Sequence, residues 1–490
     1  MCVAYDLNAL CMPGFTCPVA NLVMDGHCAI TCSMCEERPA LNPGYLATDL
    51  DFVITASDVQ FVSGYSPGNP SSMQDYGDLV VGTVPTDPSM ISWAIVDGAP
   101  STPVTAAPSG WRHGVAAPGD DVGRWTATVA TSTGFYIAYY DATHGALKLA
   151  IGSPGAWQIQ TVDDTGDAGR YASIVLTATG PVVSYLGFET NAMGEVHSQV
   201  RVAAAHSMMP AMASDWTITR IGDAASPCRA AMCAMGQSCL ASGTCAAASG
   251  TCTPACASGN VCISGTCQAT VAASYVEDLL PAHGLYTQIA TTPTGLALVY
   301  YDRTDGNIYG AAANGDTWGT PFLIDGYARN DPDTGDCGIG ASLFVDAMGV
   351  WHVSYVDGAE EVLRYATVSS ATPPAITYEV IDDGSTTDGM TMQTDGRHIV
   401  GDDSSLVVLA SGEVRVAYQD STSERTMIAR RSTTGTWSHA ILDMSKHNGF
   451  WVEQQLNAAG DQSYVASWWI DRMTTTVTNG IHVTQVPAAH

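Results

Sequence analysis

Charged residues make up only 13% of this chain, and many of its histidines, arginines and aspartates gather in a few polar loops. One loop, beyond Gly98, holds Trp111, Arg112, His113, Asp120 and Asp121. A second ends at His283, and a third, YARNDPDTGDCG, holds Arg329, Asp331, Asp333 and Asp336. A fourth, running into the next strand as TDGRHIVGDD, holds Asp395, Arg397, His398, Asp402 and Asp403, and a short last connection holds Lys446 and His447. A repeated glycine opens an apolar stretch at Gly123, Gly169, Gly284, Gly338, Gly401 and Gly449. His283 lies one residue before its glycine, His447 two and His398 three, while Asp121, Asp167 and Asp336 each lie two before theirs. If the glycines mark equivalent positions, these groups come to similar heights on different repeats and could converge on an axis.

Two chemistries suit such a set. Neutral imidazoles from His283, His398 and His447, with a carboxylate, would bind Zn or Cu and leave an open position that activates water. Alternatively, His398 and Asp402 would form a metal-free acid–base pair, with Arg397 and Arg112 clamping a carboxylate or oxyanion. Trp111, His113, Arg329 and Asp121 would then contact the ligand. The run NDPDTGD (330–336) offers alternating oxygen ligands for Ca, without the spacing or final Glu of an EF-hand loop. The competing reading is local: Asp residues cap tight turns, and each His is a satisfied rim residue. His352, in WHVSY, reads as structural. No G-x-S-x-G elbow, P-loop or dinucleotide fingerprint stands in a strand-to-helix context.

The elements that must hold these loops are short strands in a repeat. A strand ending in an aromatic and then Asp occurs as AYYD (138–141), VYYD (299–302), SYVD (354–357) and AYQD (417–420). SYLG (184–187) and SWWI (467–470) fit the same register with the Asp lost. Before it comes the repeated Gly, followed two residues later by Trp125, Tyr171, Tyr286 or Trp451. These aromatics either stack on sugar rings or, as is usual at a repeated phase, wedge between neighbours. After it come segments such as LKLAIG and LRYATV, then a strand ending in an acidic turn, as in AIVDG, QTVDD, FLIDG and EVIDD. Four-stranded units repeated around an axis make a propeller, with only short protected edges.

This pattern resembles exported bacterial repeat propellers of the sialidase-like kind, over roughly residues 78–486. The resemblance implies a fold with ligands at the mouth of a central channel. The sialidase Asp-box S-x-D-x-G-x-T-W is missing from the sequence and no arginine triad can be assigned, so sialidase activity does not follow. The expected architecture is all-β: a six-bladed β-propeller with one blade closed by both chain ends, or seven blades if residues 44–65 add strands. The expected segments are a Cys-rich module (1–38), a first propeller part (44–225), a Cys-rich insert (226–268) and the remaining propeller (269–490).

Composition narrows the partners. A net charge of −30 argues against nucleic acid and anionic membrane, which need basic patches. It suits calcium, cationic partners or neutral glycans, and it also serves solubility. No apolar stretch approaches the ~20 residues of a membrane-spanning helix. Fourteen of the 15 cysteines fall in two even-numbered clusters, which read as disulfide knots made in an oxidising compartment. Zinc is the weaker reading, because paired C-x-x-C spacing with nearby His is lacking. Cys337 stands alone. An extracellular or cell-surface location follows, with the signal sequence expected upstream of this chain. The expected function is a secreted propeller binding a glycan, peptide or surface ligand on its loop-rich face. The alternative is a secreted hydrolase, lyase or metal-dependent oxidase with its site at the channel mouth.

Overall fold

Segments such as FYIAYYD and VRVAYQD are rich in aromatic and β-branched residues at consecutive positions, a pattern that suits a strand covered on both faces. The computed structural model describes residues 47–67, 77–85, 91–99, 119–190, 196–225, 236–240, 245–270, 282–303, 306–326, 336–385, 397–472 and 478–487. The N-terminal cysteine module lies outside them. Among the described residues, seven antiparallel sheets follow one another along the chain: 48–97, 122–163, 167–225, 283–325, 337–382, 400–443 and 447–485. We number them blades 1 to 7.

The inner strand of each blade comes first in sequence: Thr48–Ile54, Val122–Ala130, Asp167–Leu176, His283–Thr292, Cys337–Val345, Val400–Val408 and His447–Leu456. Each packs on the inner strand of the next blade, and the last packs back on the first, so the ring is closed. The apolar core lies between blades rather than within them. Leu147, Leu149 and Val162 of blade 2, for example, meet Ala168, Val183 and Tyr185 of blade 3. All seven joints have such a cluster. Each fully buried large side chain contributes roughly 1.5–3 kcal/mol.

The propeller therefore has seven blades, and among the described residues no sheet joins strands from both chain ends. TDLDFVI and QFVSGYSP supply the two strands that DLVVGT and SWAIVD lacked, which completes blade 1 from N-terminal sequence alone. Blade 7 keeps three strands of its own. Closure is by packing of Ala47, Leu50 and Phe52 against Ala466, Trp468 and Ile470.

The repeated motifs form the polar part of four of the seven joints. The Tyr of S/A-Y-x-D donates its hydroxyl to the Asp that ends the previous blade's outer strand. The pairs are Tyr139–Asp97 (2.7 Å), Tyr185–Asp163 (2.7 Å), Tyr355–Asp325 (2.6 Å) and Tyr418–Asp382 (2.6 Å). Directly across from the Tyr, on the third strand, a cation joins the same carboxylate: Lys148, Arg201 or Arg364. Blade 7 corrects the reading of SWWI by one residue. There Asn448 pairs with Trp469, so Ser467 occupies the Tyr position and cannot reach the previous blade's acidic turn. His482, opposite Ser467, bonds Asp443 instead through Nδ1 at 2.6 Å.

The insert between blades 3 and 4 carries two small hairpins, Gln237–Cys239 with Cys245–Ala247 and Asn260–Ile263 with Thr266–Ala269. Disulfides Cys252–Cys262 and Cys256–Cys267 staple it. Cys337 is a free, buried thiol in the core between blades 4 and 5.

Candidate functional site at the channel mouth

Six of the seven inner strands open with a glycine of positive φ. The repeated glycine takes a left-handed φ, +108° at Gly123 and +113° at Gly169. Only glycine fits, because a Cβ would lie 2.8 Å from the Cα of Leu79 or Leu147 in the preceding blade. The pairing register then slips, and the residue two positions on is also left-handed: Trp125 (φ 49°), Tyr171 (52°), Tyr286 (50°) and Trp451 (48°). For bulky aromatics this conformation costs about 1–3 kcal/mol each, and such strain collects where a side chain must be aimed. The bulge re-aims these side chains at the start of their inner strands.

Three of them form an arc across blades 2 to 4. Trp125 and Tyr171 have ring centroids 5.1 Å apart, and Tyr171 and Tyr286 are 4.9 Å apart. Tyr171 is buried among Leu186, Leu285 and Tyr301, the wedge expected for a repeated aromatic. Trp125 and Tyr286 on either side are only half-buried. Trp451 stands apart and packs on Trp468 at 5.4 Å.

Polar triads edge the arc. Asp121 accepts bonds from the Tyr65 hydroxyl (2.8 Å), the Gly77 amide (2.9 Å) and Arg124 (3.3 Å). One blade further round, Asp167 accepts from the Tyr140 hydroxyl (2.8 Å) and Arg170 (2.6 Å). Arg170 lies over the rings of Tyr140 (4.9 Å) and Trp125 (5.5 Å). Burial opposes charge on Arg124, but Tyr65, Asp121 and Asp49 outweigh it and hold the guanidinium charged. Asp336 receives the Tyr301 hydroxyl at 2.7 Å, with Ile339 in place of the arginine. The shared height of Asp121, Asp167 and Asp336 is thus confirmed, and each serves as a tyrosine acceptor.

The opposite arc is acidic. Asp403 of blade 6 accepts the Trp451 amide at 2.9 Å, and Asp49 stands at the aromatic position of blade 1. Two residues further along their inner strands lie Asp51 and Glu453, at matching positions of blades 1 and 7. Both escaped sequence reasoning, because the same position elsewhere holds Ser173, Ser342 or Ser405 and shows no acidic repeat.

The structure does not bring the three expected metal-ligating histidines together. His283 Nδ1 lies 2.6 Å from Asp302, and His398 Nδ1 lies 2.7 Å from Asp420, each within its own blade. His447 pairs with Glu424. Among the described residues, two groups of three side chains come within one ion's reach: Asp120–Asp141–His144, and the cysteines Cys252, Cys256 and Cys267, whose sulfurs are already spent in disulfides. In the first group Lys148 Nζ approaches Asp141 at 3.7 Å and already supplies a cation. His398 is 4% exposed, too buried to meet a substrate, while Arg397 is exposed. Asp402 accepts the Ser421 hydroxyl at 2.7 Å rather than a bond from His398. His352 is structural, with Nδ1 2.6 Å from the Tyr365 hydroxyl. Trp111, Arg112, His113 and Arg329, and most of the NDPDTGD run, lie outside the described residues.

No protein-family model matches the chain, and no curated protein matches it. Several solved structures are similar at low identity. An alpha-L-arabinanase of Penicillium chrysogenum, complexed with arabinobiose, matches 74% of this chain and 92% of its own at 9% identity, with a TM-score of 0.42. The sialidase of Trypanosoma rangeli, in complex with the inhibitor DANA, matches 81% of this chain and 55% of its own at 10% identity (TM-score 0.39). A fucose-specific lectin from Aleuria aurantia matches 74% and 94% at 12% identity (TM-score 0.35). Likeness this distant concerns the fold alone, and no ligand or residue role passes from these proteins to this chain.

Proposed function

We propose that this protein is an exported glycan-binding propeller whose ligand sits at the channel mouth, against the half-buried faces of Trp125 and Tyr286. The carrying observation is the set of bulky aromatics held in left-handed conformations at equivalent positions around one entrance. A sugar offers C–H faces to such rings and hydroxyls to the polar groups beside them. Arg170 and Asp167 both keep accessible surface there, at 16% and 33% of their side chains. Because each arginine is already matched by an aspartate, the site favours a neutral glycan over an anionic one. Disulfides in the insert support an oxidising, extracellular setting. No helix among the described residues is long and apolar enough to cross a membrane.

Burial of His398 weighs against the hydrolase reading that places chemistry at that residue. The test is a glycan array probed with the full chain, followed by titration of any hit against Trp125→Ala and Tyr286→Ala. Both variants lose at least about tenfold in affinity, or ~1.4 kcal/mol. Binding that survives both substitutions rejects the site. Hydrolysis of a bound glycan would replace the lectin reading with an enzymatic one.

A further inference from the structure

A recurring bridge ties inner strands across the joints. The side chain four positions after the glycine accepts the backbone N–H of the next blade's following residue. Ser173 does this for Ile289 (3.2 Å), Ser342 for Leu406 (3.0 Å) and Ser405 for Gln454 (2.9 Å). Asp51 does it for Thr128. At the joint between blades 7 and 1 the corresponding group is Glu453 and its target is the Phe52 amide. That amide is already bonded by Asp51, through Oδ1 at 2.7 Å. Glu453 is left with the Ser405 hydroxyl at 3.1 Å and with the Asp51 carboxyl as an electrostatic neighbour. This joint is also the one where the chain does not run from one blade into the next.

We propose that the blade 7–blade 1 joint is a pH-sensitive latch, in which protonated Asp51 and Glu453 hold the ring closed and their ionisation loosens it. The facing groups do not relieve the pair. Blade 6 adds Asp403, another acid, against Glu453, and Asp49 of blade 1 acts on Arg124. Blade 2 offers Arg124, which Asp121 and Tyr65 already hold. The second strand of blade 7, Ser463–Asp471, carries a single charged group, Asp471, at its far end. Burial raises the Asp51 carboxyl to about 7, against the lowering pull of the Thr128 and Phe52 amides. Burial, then repulsion from Asp51, pushes Glu453 well above the usual range. A carboxyl raised in the folded state binds its proton better there than in the unfolded chain. Its stabilising effect is therefore complete below about pH 4 and is lost as pH rises through about 7.

The test is native-state hydrogen exchange on the full chain at pH 5.5 and pH 8.5, corrected for intrinsic exchange rates. Peptides covering Thr48–Ile54 and His447–Leu456 lose about tenfold or more in protection at the higher pH, the equivalent of about one pKa unit of coupling. Peptides covering Asp167–Leu176 and His283–Thr292 do not change. Glu453→Gln removes the difference. Should that variant fail to fold, Asp51→Asn, which keeps one acceptor oxygen, takes its place. Should neither fold, the wild-type contrast between joints decides. Equal loss in all blades, or a pH response retained in the Gln variant, overturns the latch.

Discussion

Asp163→Asn at the joint between blades 2 and 3 probes the repeat most sharply. Arg201 and Asp163 are each 1% exposed at the side chain and lie 2.8 Å apart. Asp163 also accepts the Tyr185 hydroxyl at 2.7 Å, and Arg201 also bonds Gln199 and the Thr165 carbonyl. Burial opposes ionisation of Asp163, but Tyr185, the Thr165 amide and Arg201 outweigh it and hold the carboxyl below its ordinary range. The amide is nearly isosteric, so packing survives while the charge is lost. The remaining carboxylate near Arg201, Glu189, is 3.7 Å away and 34% exposed at the side chain. Removing one partner of a buried pair costs roughly 3–5 kcal/mol, because the other charge stays buried without compensation. Urea denaturation followed by tryptophan fluorescence measures this as a drop in midpoint at unchanged slope. A loss under about 1 kcal/mol, the value of an exposed ion pair, would refute the idea that these motifs lock the blades.

Other substitutions separate the parts of the account. Tyr418→Phe removes a hydroxyl bond to Asp382 at a joint with Met427 in the cation slot. It costs roughly 1.5–3 kcal/mol in the same titration, less than Asp163→Asn. Gly123→Ala forces a Cβ against the Leu79 backbone at positive φ and yields little folded protein, whereas Gly155→Ala, with open space around it, costs about 1–2 kcal/mol from its φ alone. Asp443 is pulled down to about 2 despite burial, chiefly by His482 and Ser445, so its contribution is present above about pH 4 and lost as pH falls through 2. Asp443→Asn flattens acid unfolding in that window. Burial pushes the Cys337 thiol up, so iodoacetamide labels it only after denaturation.

The fold was legible because the repeat is written in residues that must recur. Tyr185, Tyr355 and Tyr418 recur because each meets an acidic turn of its neighbour. The turns QTVDD, FLIDG and EVIDD were visible too, but no local rule said that one blade's turn pairs with the next blade's tyrosine. Blade 1 was harder to see, since Gly64 stands where Tyr should, and a Cβ there would lie 2.8 Å from the Ala47 Cα. The SWWI error has the same origin: Ser467 took the Tyr place and His482 the lock, so the best aromatic match was one residue off. At the site, aligning on glycine recovered the heights of Asp121, Asp167 and Asp336. It failed for His283 and His398, because Asp302 and Asp420 lie directly beside them and capture the imidazoles inside each blade. Asp51 and Glu453 carried no signal, since their meeting depends on ring closure between residues four hundred positions apart in the chain.

A crystal structure of the full chain with a glycan hit from the array locates the ligand outright. Sugar density is expected at the channel mouth, lying on the Trp125 and Tyr286 rings within reach of Arg170 and Asp167. Density confined to the outer edges of the blades or to the cysteine-rich insert would contradict it.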